Sequence, residues 1–156
     1  MTKENPLLEK FDLPPFDRIK ARHIKPAIDE IINNNKKKIE ELINNTQRYS
    51  WENFFQKIED QEELLHQTWS PASHLHSVAD NDDIRKAYNE CITNISNHST
   101  EIGQNKSLYT AYEKFSRSTP YKKLSGPQQK IIDNALRDFR LSGIELDEKH
   151  KKKYKK

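Results

Sequence analysis

The sequence is poor in the residues that build sheets, glycine-rich loops and disulfides. Its 156 residues include one cysteine and three glycines, and Val78 is the single valine. One cysteine excludes an internal disulfide framework and suits a reducing compartment. Three scattered glycines exclude a glycine-rich phosphate-binding loop, and the shortage of valine argues against an extensive sheet. The N-terminus lacks the apolar core of a signal peptide, and no window approaches the ~20 apolar residues of a membrane span. We therefore expect a soluble, cytoplasmic protein with no membrane partner.

Apolar residues are also scarce. They make up 33% of the chain, against about 45–50% in a typical globular protein when glycine is included. The predicted core is therefore thin, so either long helices share it or another polypeptide completes it.

The net charge of +3 comes from the C-terminal end. Residues 147–156 contain six lysines beside Asp147 and Glu148, and the rest of the chain is close to neutral. No basic stripe follows the predicted helices, which does not favour a nucleic-acid partner. A lysine run of this kind is usually a solvated end. We predict that residues 147–156 form a basic tail that is disordered or frayed.

The best-marked element lies in residues 124–146. Ser125 is a preferred N-cap, and Gln128 three residues later completes a capping box. Gly143 follows the last helical positions, where glycine closes a helix at least cost. The apolar residues recur at steps of three and four and predict one buried helical face. They are Ile131, Ile132, Ala135, Leu136 and Phe139.

Further helices are predicted upstream, covering residues 23–44, 50–68, 81–103 and 108–115. The asparagines at 33–35 weaken the apolar stripe of the first helix, which predicts fraying there. Pro71 is predicted to end the second helix. Residues 1–22 are read as an extended, proline-rich strap packed on a helical domain of residues 23–146. The predicted fold is therefore all-α: a bundle of four to five amphipathic helices with an extended N-terminal strap.

The metal-ligand candidates are His74 and His76, with Cys91 and His98 as possible partners. Zinc sites need three or four well-placed ligands, and a His-x-His pair on a helix points its two rings about 200° apart. A packing or capping role is the better reading of His74, and a surface position that of His76. Cys91 lies on the apolar stripe of its helix, so we predict a small buried hydrophobe rather than a nucleophile.

No other residues form a convincing active site. Trp51 and Trp69 could stack on a ligand, but their spacing is that of core anchors. Asp133, Asp138 and Glu145 give no acid–base pair, because nothing predicts a desolvated pocket around them. No histidine is followed by glutamate, so the zinc-binding helix motif His-Glu-x-x-His is absent. We therefore predict no catalytic, cofactor-binding or metal-binding residues in this chain.

Several stretches nevertheless resemble a known family when they are taken together. Residues 133–146 look like the signature of oligopeptidase A, within the thimet-oligopeptidase family of zinc metallopeptidases. Supporting stretches occur in the same order along the chain. They are residues 5–8, 13–16, 24–27, 51–53, 70–78, 85–88, 103–104 and 108–112. The resemblance covers residues 5–146.

The resemblance implies a wholly helical protein that is several times longer and holds its catalytic zinc on a His-Glu-x-x-His helix between two lobes. The region matched here would be the non-catalytic N-terminal lobe, forming one wall of a channel that admits short, unfolded peptides. None of the family's zinc ligands or catalytic residues has a counterpart in this sequence. The chain alone is therefore predicted to be inactive and to hold no zinc.

Two interpretations remain besides nucleic-acid binding by the lysine tail, which ranks last. In the first reading the chain is an N-terminal lobe, as a truncated gene product or an excised domain. The alternative is a stand-alone interaction module that docks on a separate catalytic part, which the thin core would favour.

Overall fold

The computed structural model describes residues 5–146 of the chain. Within that range it contains six α-helices, one π-helical turn and no β-strand. The helices are α1 (Ala21–Asn45), α2 (Gln56–Val78), α3 (Asp82–Gly103), α4 (Lys106–Ser116), α5 (Thr119–Lys122) and α6 (Gly126–Leu141), and the π-helical turn Trp51–Phe55 leads into α2. The prediction of an all-α fold is confirmed. The helix count exceeds the predicted four to five because a single-turn helix, α5, separates α4 from α6.

The chain divides into two compact units, each of which takes residues from two separate segments. Residues 5–40 and 58–97 belong to the first unit, and residues 41–57 and 98–146 to the second. The predicted domain boundaries, after residues 22 and 146, stay predictions. Residues 147–156, with the expected basic tail, lie outside the described residues.

The first unit has an aliphatic core. Helix α1 contributes half of it, with apolar side chains buried on one face at three- and four-residue steps, which is the pattern expected of an amphipathic helix. The core members are Leu7, Ile19, Ile24, Ala27, Ile28, Ile31, Ile32, Leu65, Ala72 and Cys91. Leu7 and Ile19 come from the segment before α1, so this core also fixes the strap.

The strap, which we define as residues 5–20, is a series of turns rather than an extended segment. Asn5 organises its start: Asn5 Nδ2 donates a hydrogen bond of 2.8 Å to the carbonyl oxygen of His23, and Asn5 Oδ1 accepts one of 3.1 Å from the Leu7 amide. At its end, the Lys20 amide donates to His23 Nδ1 at 3.0 Å. The strap is therefore bonded to the first turn of α1 at both ends.

The second unit is built around aromatic rings. Phe55 lies at its centre, with ring centroids 4.8 Å from Tyr112, 4.3 Å from Phe115 and 5.0 Å from Phe54. Tyr112 in turn contacts Phe139 of α6 edge to face at 5.6 Å. Aromatic pairs prefer such tilted and edge-to-face geometries, so the cluster joins the π-helical turn, α4 and α6 into one core.

The start and end of α6 are as predicted. The Ser125 side chain accepts a hydrogen bond from the Gln128 amide, and the Gln128 side chain bonds back to the Ser125 amide. After the helix, Gly143 has φ of 76°. The Ile144 amide donates to the carbonyl oxygen of Phe139 at 3.2 Å, and the Gly143 amide donates to that of Arg140 at 2.9 Å. These two bonds form a Schellman motif, which satisfies carbonyls that a helix end leaves without partners.

Pro71 does not end the second helix, so that prediction is wrong. Helix α2 runs through Pro71 to Val78, and both Pro71 and Ala72 are buried. A proline inside a helix costs about 3 kcal/mol through a lost hydrogen bond and a clash. Burial of this turn in the aliphatic core offsets that cost, which a local reading of the Ser-Pro pair could not anticipate.

The fraying expected at the asparagines of α1 is also wrong, since the helix is continuous from Ala21 to Asn45. Asn35 is fully buried, and its Nδ2 donates to the carbonyl oxygen of Gln61 in α2 at 3.0 Å. A buried amide that finds a partner of this kind joins two helices instead of loosening one.

Candidate functional site

A polar surface groove on the first unit is the candidate site that geometry alone suggests. It encloses about 750 Å³, is open to solvent, and lies along the exposed face of α3 beside the N-terminal part of α1. Its lining consists of Lys25, Asp82, Arg85, Lys86, Asn89, Glu90, Thr93 and Asn94. Pockets for small ligands are usually lined by apolar and aromatic side chains, whereas every residue that lines this groove has a polar or charged side chain.

The α1 side of the groove is a bonded network. Lys25 forms an ion pair with Asp29 one helical turn later. Asn94 of α3 donates from Nδ2 to Asp29 Oδ1 at 2.9 Å. The hydrogen bond to Asp29 raises the pKa of Lys25. Both charges in this part of the groove are therefore already compensated within the protein.

At the N-terminal end of α3 the groove is lined by Arg85, which is bonded to two aspartates. Its Nε donates to Asp80 Oδ2 at 2.9 Å, and its Nη1 bonds to Asp82 Oδ1 at 3.1 Å. The bond to Asp80 is the main reason why the pKa of Arg85 is raised. Thr93, the hydroxyl of the lining, points back to its own helix and donates to the Asn89 carbonyl at 3.4 Å. The groove therefore holds no activated nucleophile among its lining side chains.

The histidines considered as metal ligands are occupied by ring contacts. His74 lies 5.2 Å from the ring of Phe16 in the strap, which fits the packing role predicted for it. His76 stacks on Tyr88 at 4.0 Å with only 8° between the planes, and Tyr88 also stacks on Trp69 at 4.9 Å. The surface position predicted for His76 holds only in part, because the stack on Tyr88 leaves the residue half-buried. The sequence offered no local signal for this stack, because Tyr88 comes from a different helix.

Cys91 and His98 are both buried, with 0% and 2% of their surface exposed. Burial raises the pKa of the Cys91 thiol to about 11. A thiol with that pKa stays protonated at neutral pH and is neither a good nucleophile nor a good ligand. The prediction that Cys91 acts as a small buried hydrophobe is confirmed. Within residues 5–146, no group of three or more histidine, cysteine, aspartate or glutamate side chains is placed to hold a metal ion.

The carboxylates of the second unit are held at separate places. Tyr121 donates from its hydroxyl to Asp133 Oδ1 at 2.8 Å. Glu145 accepts from the Tyr109 hydroxyl at 2.7 Å and from Arg140 Nε at 3.4 Å. The bond from Tyr109 is the first cause of the lowered pKa of Glu145, which is the opposite of what a general acid requires.

One perturbed carboxylate pair was missed by sequence reasoning. The pKa values of Glu59 and Glu62 in α2 are both raised, and desolvation is the main cause in each case. The nearby Glu62 and Asp60 add like-charge repulsion at Glu59. Glu62 itself has an exposed side chain and Glu59 is half-buried, so neither lies in an enclosed pocket. The sequence signal for this pair is the cluster of four acidic residues in 59–63, which would ordinarily be interpreted as a solvated helix face.

Helices long and apolar enough to cross a membrane do not occur in the part of the chain that the structure describes. The fold and its surface thus define an all-α domain with a polar groove on its first unit and, within residues 5–146, no assembled catalytic or metal centre.

Comparison with known proteins identifies the kind of domain. Residues 28–151 match the family model described as neurolysin/thimet oligopeptidase, N-terminal domain. Oligopeptidase A of Haemophilus influenzae is 40% identical over 154 residues, which cover 99% of this chain and 22% of the relative. Oligopeptidase A of Escherichia coli is 38% identical over 150 residues, which cover 96% of this chain and 22% of the relative. The probable cytosolic oligopeptidase A of Arabidopsis thaliana is 28% identical over 152 residues, covering 97% and 22%.

The chain therefore belongs to the neurolysin/thimet oligopeptidase family, through that family's N-terminal domain. The resemblance seen in the sequence is confirmed. The chain spans about a fifth of the length of the curated relatives it matches.

Proposed function

We propose that this chain is the N-terminal, non-catalytic lobe of an oligopeptidase A-like zinc metallopeptidase that hydrolyses short peptides, and that it forms one wall of the peptide channel. The observation that carries this proposal is the match of residues 28–151 to the N-terminal domain of the family. The alignment of 96–99% of the chain with the two bacterial oligopeptidase A relatives supports it.

The chemistry of the described side chains agrees with a wall rather than a catalytic centre. The groove along α3 presents amides and charges, and two of its cations, Lys25 and Arg85, are paired with the carboxylates of Asp29 and Asp80. Such a surface can guide a polar peptide without reacting with it. We propose that zinc and the groups that activate water lie in the catalytic portion of the parent peptidase, which is the partner of this lobe.

We further propose that this peptidase works in the cytoplasm. The composition of the chain, with its single cysteine, supports this location. One plant relative carries the name probable cytosolic oligopeptidase A, which also agrees with it.

The test is a fusion in which this chain replaces the matching N-terminal region of the Escherichia coli relative. We expect the fusion to hydrolyse short fluorogenic peptides, to lose activity with a zinc chelator and to regain it when zinc is returned. The 156-residue chain alone is the matched control and is expected to show no hydrolysis. Chelator-sensitive hydrolysis by the chain alone would refute the non-catalytic role. An inactive fusion that is folded and zinc-loaded would refute the role as a channel wall.

A second candidate is a stand-alone module that docks on a separately encoded catalytic part. Two exposed leucines of the second unit, Leu141 at 66% and Leu146 at 40%, favour this reading because they leave apolar surface uncovered. Under this proposal the chain and the remaining region of the relative, produced as two polypeptides, form a stable complex during size-exclusion chromatography. Separate elution of the two polypeptides contradicts it.

A further inference from the structure

The strap presents an apolar tip to solvent on the first unit. We define the tip as residues 13–16, which read Leu13, Pro14, Pro15 and Phe16. Leu13 is 84% exposed and Phe16 is 40% exposed. Single exposed apolar residues are ordinary on protein surfaces. Here two large apolar side chains are exposed at one loop tip, with two prolines between them, so docking onto another surface would remove both from water.

The tip is held in a defined shape by the residues on either side of it. Leu7 and Ile19 are buried in the aliphatic core, with 2% and 4% exposure. Between these anchors, Arg18 forms two parallel bonds to the Glu9 carboxylate, of 3.1 Å from Nη1 to Oε1 and 2.6 Å from Nη2 to Oε2. Bidentate pairs of this type fix orientation as well as position. The Arg18–Glu9 pair therefore holds together the two sides of the strap that flank the tip.

Backbone bonds and a ring contact order the tip itself. The Phe16 amide donates to the Pro14 carbonyl at 2.8 Å, and the Arg18 amide donates to the Pro15 carbonyl at 2.9 Å. The Phe16 ring rests on His74 of α2 at 5.2 Å. A loop that is ordered before it binds loses little conformational entropy on binding. The geometry is thus that of a preformed docking element.

The charges beside the tip indicate what it would fit. Asp12 and Asp17 flank the four apolar residues, and both are exposed. A surface that complements this pattern has an apolar pocket with a basic rim, because complementary charge sets register and orientation.

The extent of the alignments indicates which polypeptide would supply that surface. The family model begins only at residue 28, but the alignment with the Haemophilus influenzae relative takes in 154 of the 156 residues and therefore includes the tip. Only 22% of that relative is matched, so its greater part is available to cover the tip.

We propose that the tip Leu13–Phe16 docks into an apolar, basic-rimmed pocket on the catalytic portion of the oligopeptidase A-like polypeptide. This inference rests on the proposed function and adds to it the surface by which the lobe meets its partner. The strap then sets the position of the lobe relative to the catalytic portion.

The primary test is photo-crosslinking in the fusion described above. A benzophenone amino acid replaces Phe16 in one sample and Val78 in the control. Val78 is apolar, 66% exposed and part of the same unit, but it lies outside the strap. We expect position 16, and not position 78, to form a cross-link that mass spectrometry maps to the region of the Escherichia coli relative. Cross-links only within residues 1–156, only between two copies, or equally from both positions overturn the inference.

A substitution series checks the energetic side of the same inference. The double variant Leu13→Ser/Phe16→Ser is compared with Val78→Ser, both in the isolated chain and as a separate polypeptide mixed with the remaining region of the relative. We expect the double variant to keep the melting temperature of the isolated chain and to weaken binding to the remaining region at least tenfold, with little change for Val78→Ser. Equal affinity of the double variant and the unaltered chain refutes docking through the tip.

The proposed function and this inference fail in different ways. An active fusion without the cross-link at position 16 keeps the lobe assignment and removes the docking role. A fusion that cross-links at position 16 but hydrolyses no peptide keeps the docking contact and removes the channel-wall role.

Discussion

The clearest prediction about stability concerns Gly143, the residue that turns the chain after α6. With φ of 76°, it is the single residue with positive φ within residues 5–146. We expect Gly143→Ala to lower the free energy of unfolding, because an added Cβ crowds the following carbonyl oxygen in this left-handed conformation. The turn has one alternative: if the substituted residue escapes to negative φ, the two Schellman bonds are lost.

The magnitude follows from either route. Holding an L-residue in the left-handed region costs about 1–2 kcal/mol. Abandoning it forfeits the bonds from the amides of Gly143 and Ile144, of 2.9 and 3.2 Å, and exposes Ile144, which is only 4% exposed. The cheaper route sets the cost, so we expect a loss of about 1–2 kcal/mol. In a domain of ~150 residues, 1 kcal/mol corresponds to about 2–4 °C in melting temperature, so a fall of about 2–8 °C is expected.

The assay is thermal unfolding followed by far-ultraviolet circular dichroism and by tryptophan fluorescence. In a Trp69→Phe background the fluorescence comes from Trp51, which is 8% exposed and belongs to the second unit together with Gly143. Gly126→Ala is the matched control. A Cβ added at Gly126 meets nothing within 4 Å, and its φ is not positive. The gain of about 0.4–1 kcal/mol that Gly→Ala usually brings through the unfolded chain is offset here, because Pro127 follows and disfavours helical φ/ψ for a residue with a Cβ, so we expect little net change.

The melting temperature should therefore fall for Gly143→Ala and change much less for Gly126→Ala. If Gly143→Ala melts at or above the temperature of the unaltered protein, the argument from backbone strain is wrong. If Gly126→Ala falls as far as Gly143→Ala, the loss reflects any change in α6 and not the left-handed turn.

Three further predictions test other contacts. Gly103→Ala should destabilise the protein by about 1–3 kcal/mol through overpacking, because the new Cβ would lie 2.5 Å from Ser142 Oγ. In chemical denaturation the double variant with Ser142→Gly should regain the lost free energy of unfolding, and a double variant as unstable as Gly103→Ala would contradict the clash. Phe55→Ala should cost about 3–5 kcal/mol, since Phe55 is fully buried at the centre of the aromatic cluster; a loss below about 1 kcal/mol in the same assay would show that the cluster can collapse into the cavity. The pKa of His23 is lowered, first by desolvation and then by nearby positive charges, and its Nδ1 accepts a hydrogen bond from the Lys20 amide. The stability that neutral His23 provides is therefore fully present above the ordinary pKa of 6.5 and is lost as pH falls towards the lowered pKa. His23→Gln should flatten this part of the stability–pH curve, and an unchanged slope would contradict the prediction.

Sequence reasoning succeeded where the structural cause is local. The capping box of Ser125 and Gln128 and the closing position of Gly143 can be read from a few adjacent residues, and the structure has both. The buried face of α6 follows from spacing alone, and Ile132, Leu136 and Phe139 are all buried.

It failed where a distant contact decides the outcome. Pro71 stays helical in a turn where it is buried beside Ala72 of the aliphatic core, and Asn35 stays ordered because the Gln61 carbonyl of another helix accepts a hydrogen bond from its side-chain amide. Such partners belong to other helices, which a one-dimensional pattern does not contain. The surface groove and the strap tip could not be predicted for the same reason.

The burial of Cys91 makes the opening of the first unit measurable by chemistry alone. It is the chain's lone thiol, so a disulfide reagent has a single target and must wait until that part of the first unit opens to solvent. When the reagent reacts faster than the region recloses, the labelling rate equals the rate at which the region around Cys91 opens. Comparing that rate with Trp51 fluorescence from the second unit, measured in the Trp69→Phe background, would reveal whether the two units unfold together or one after the other.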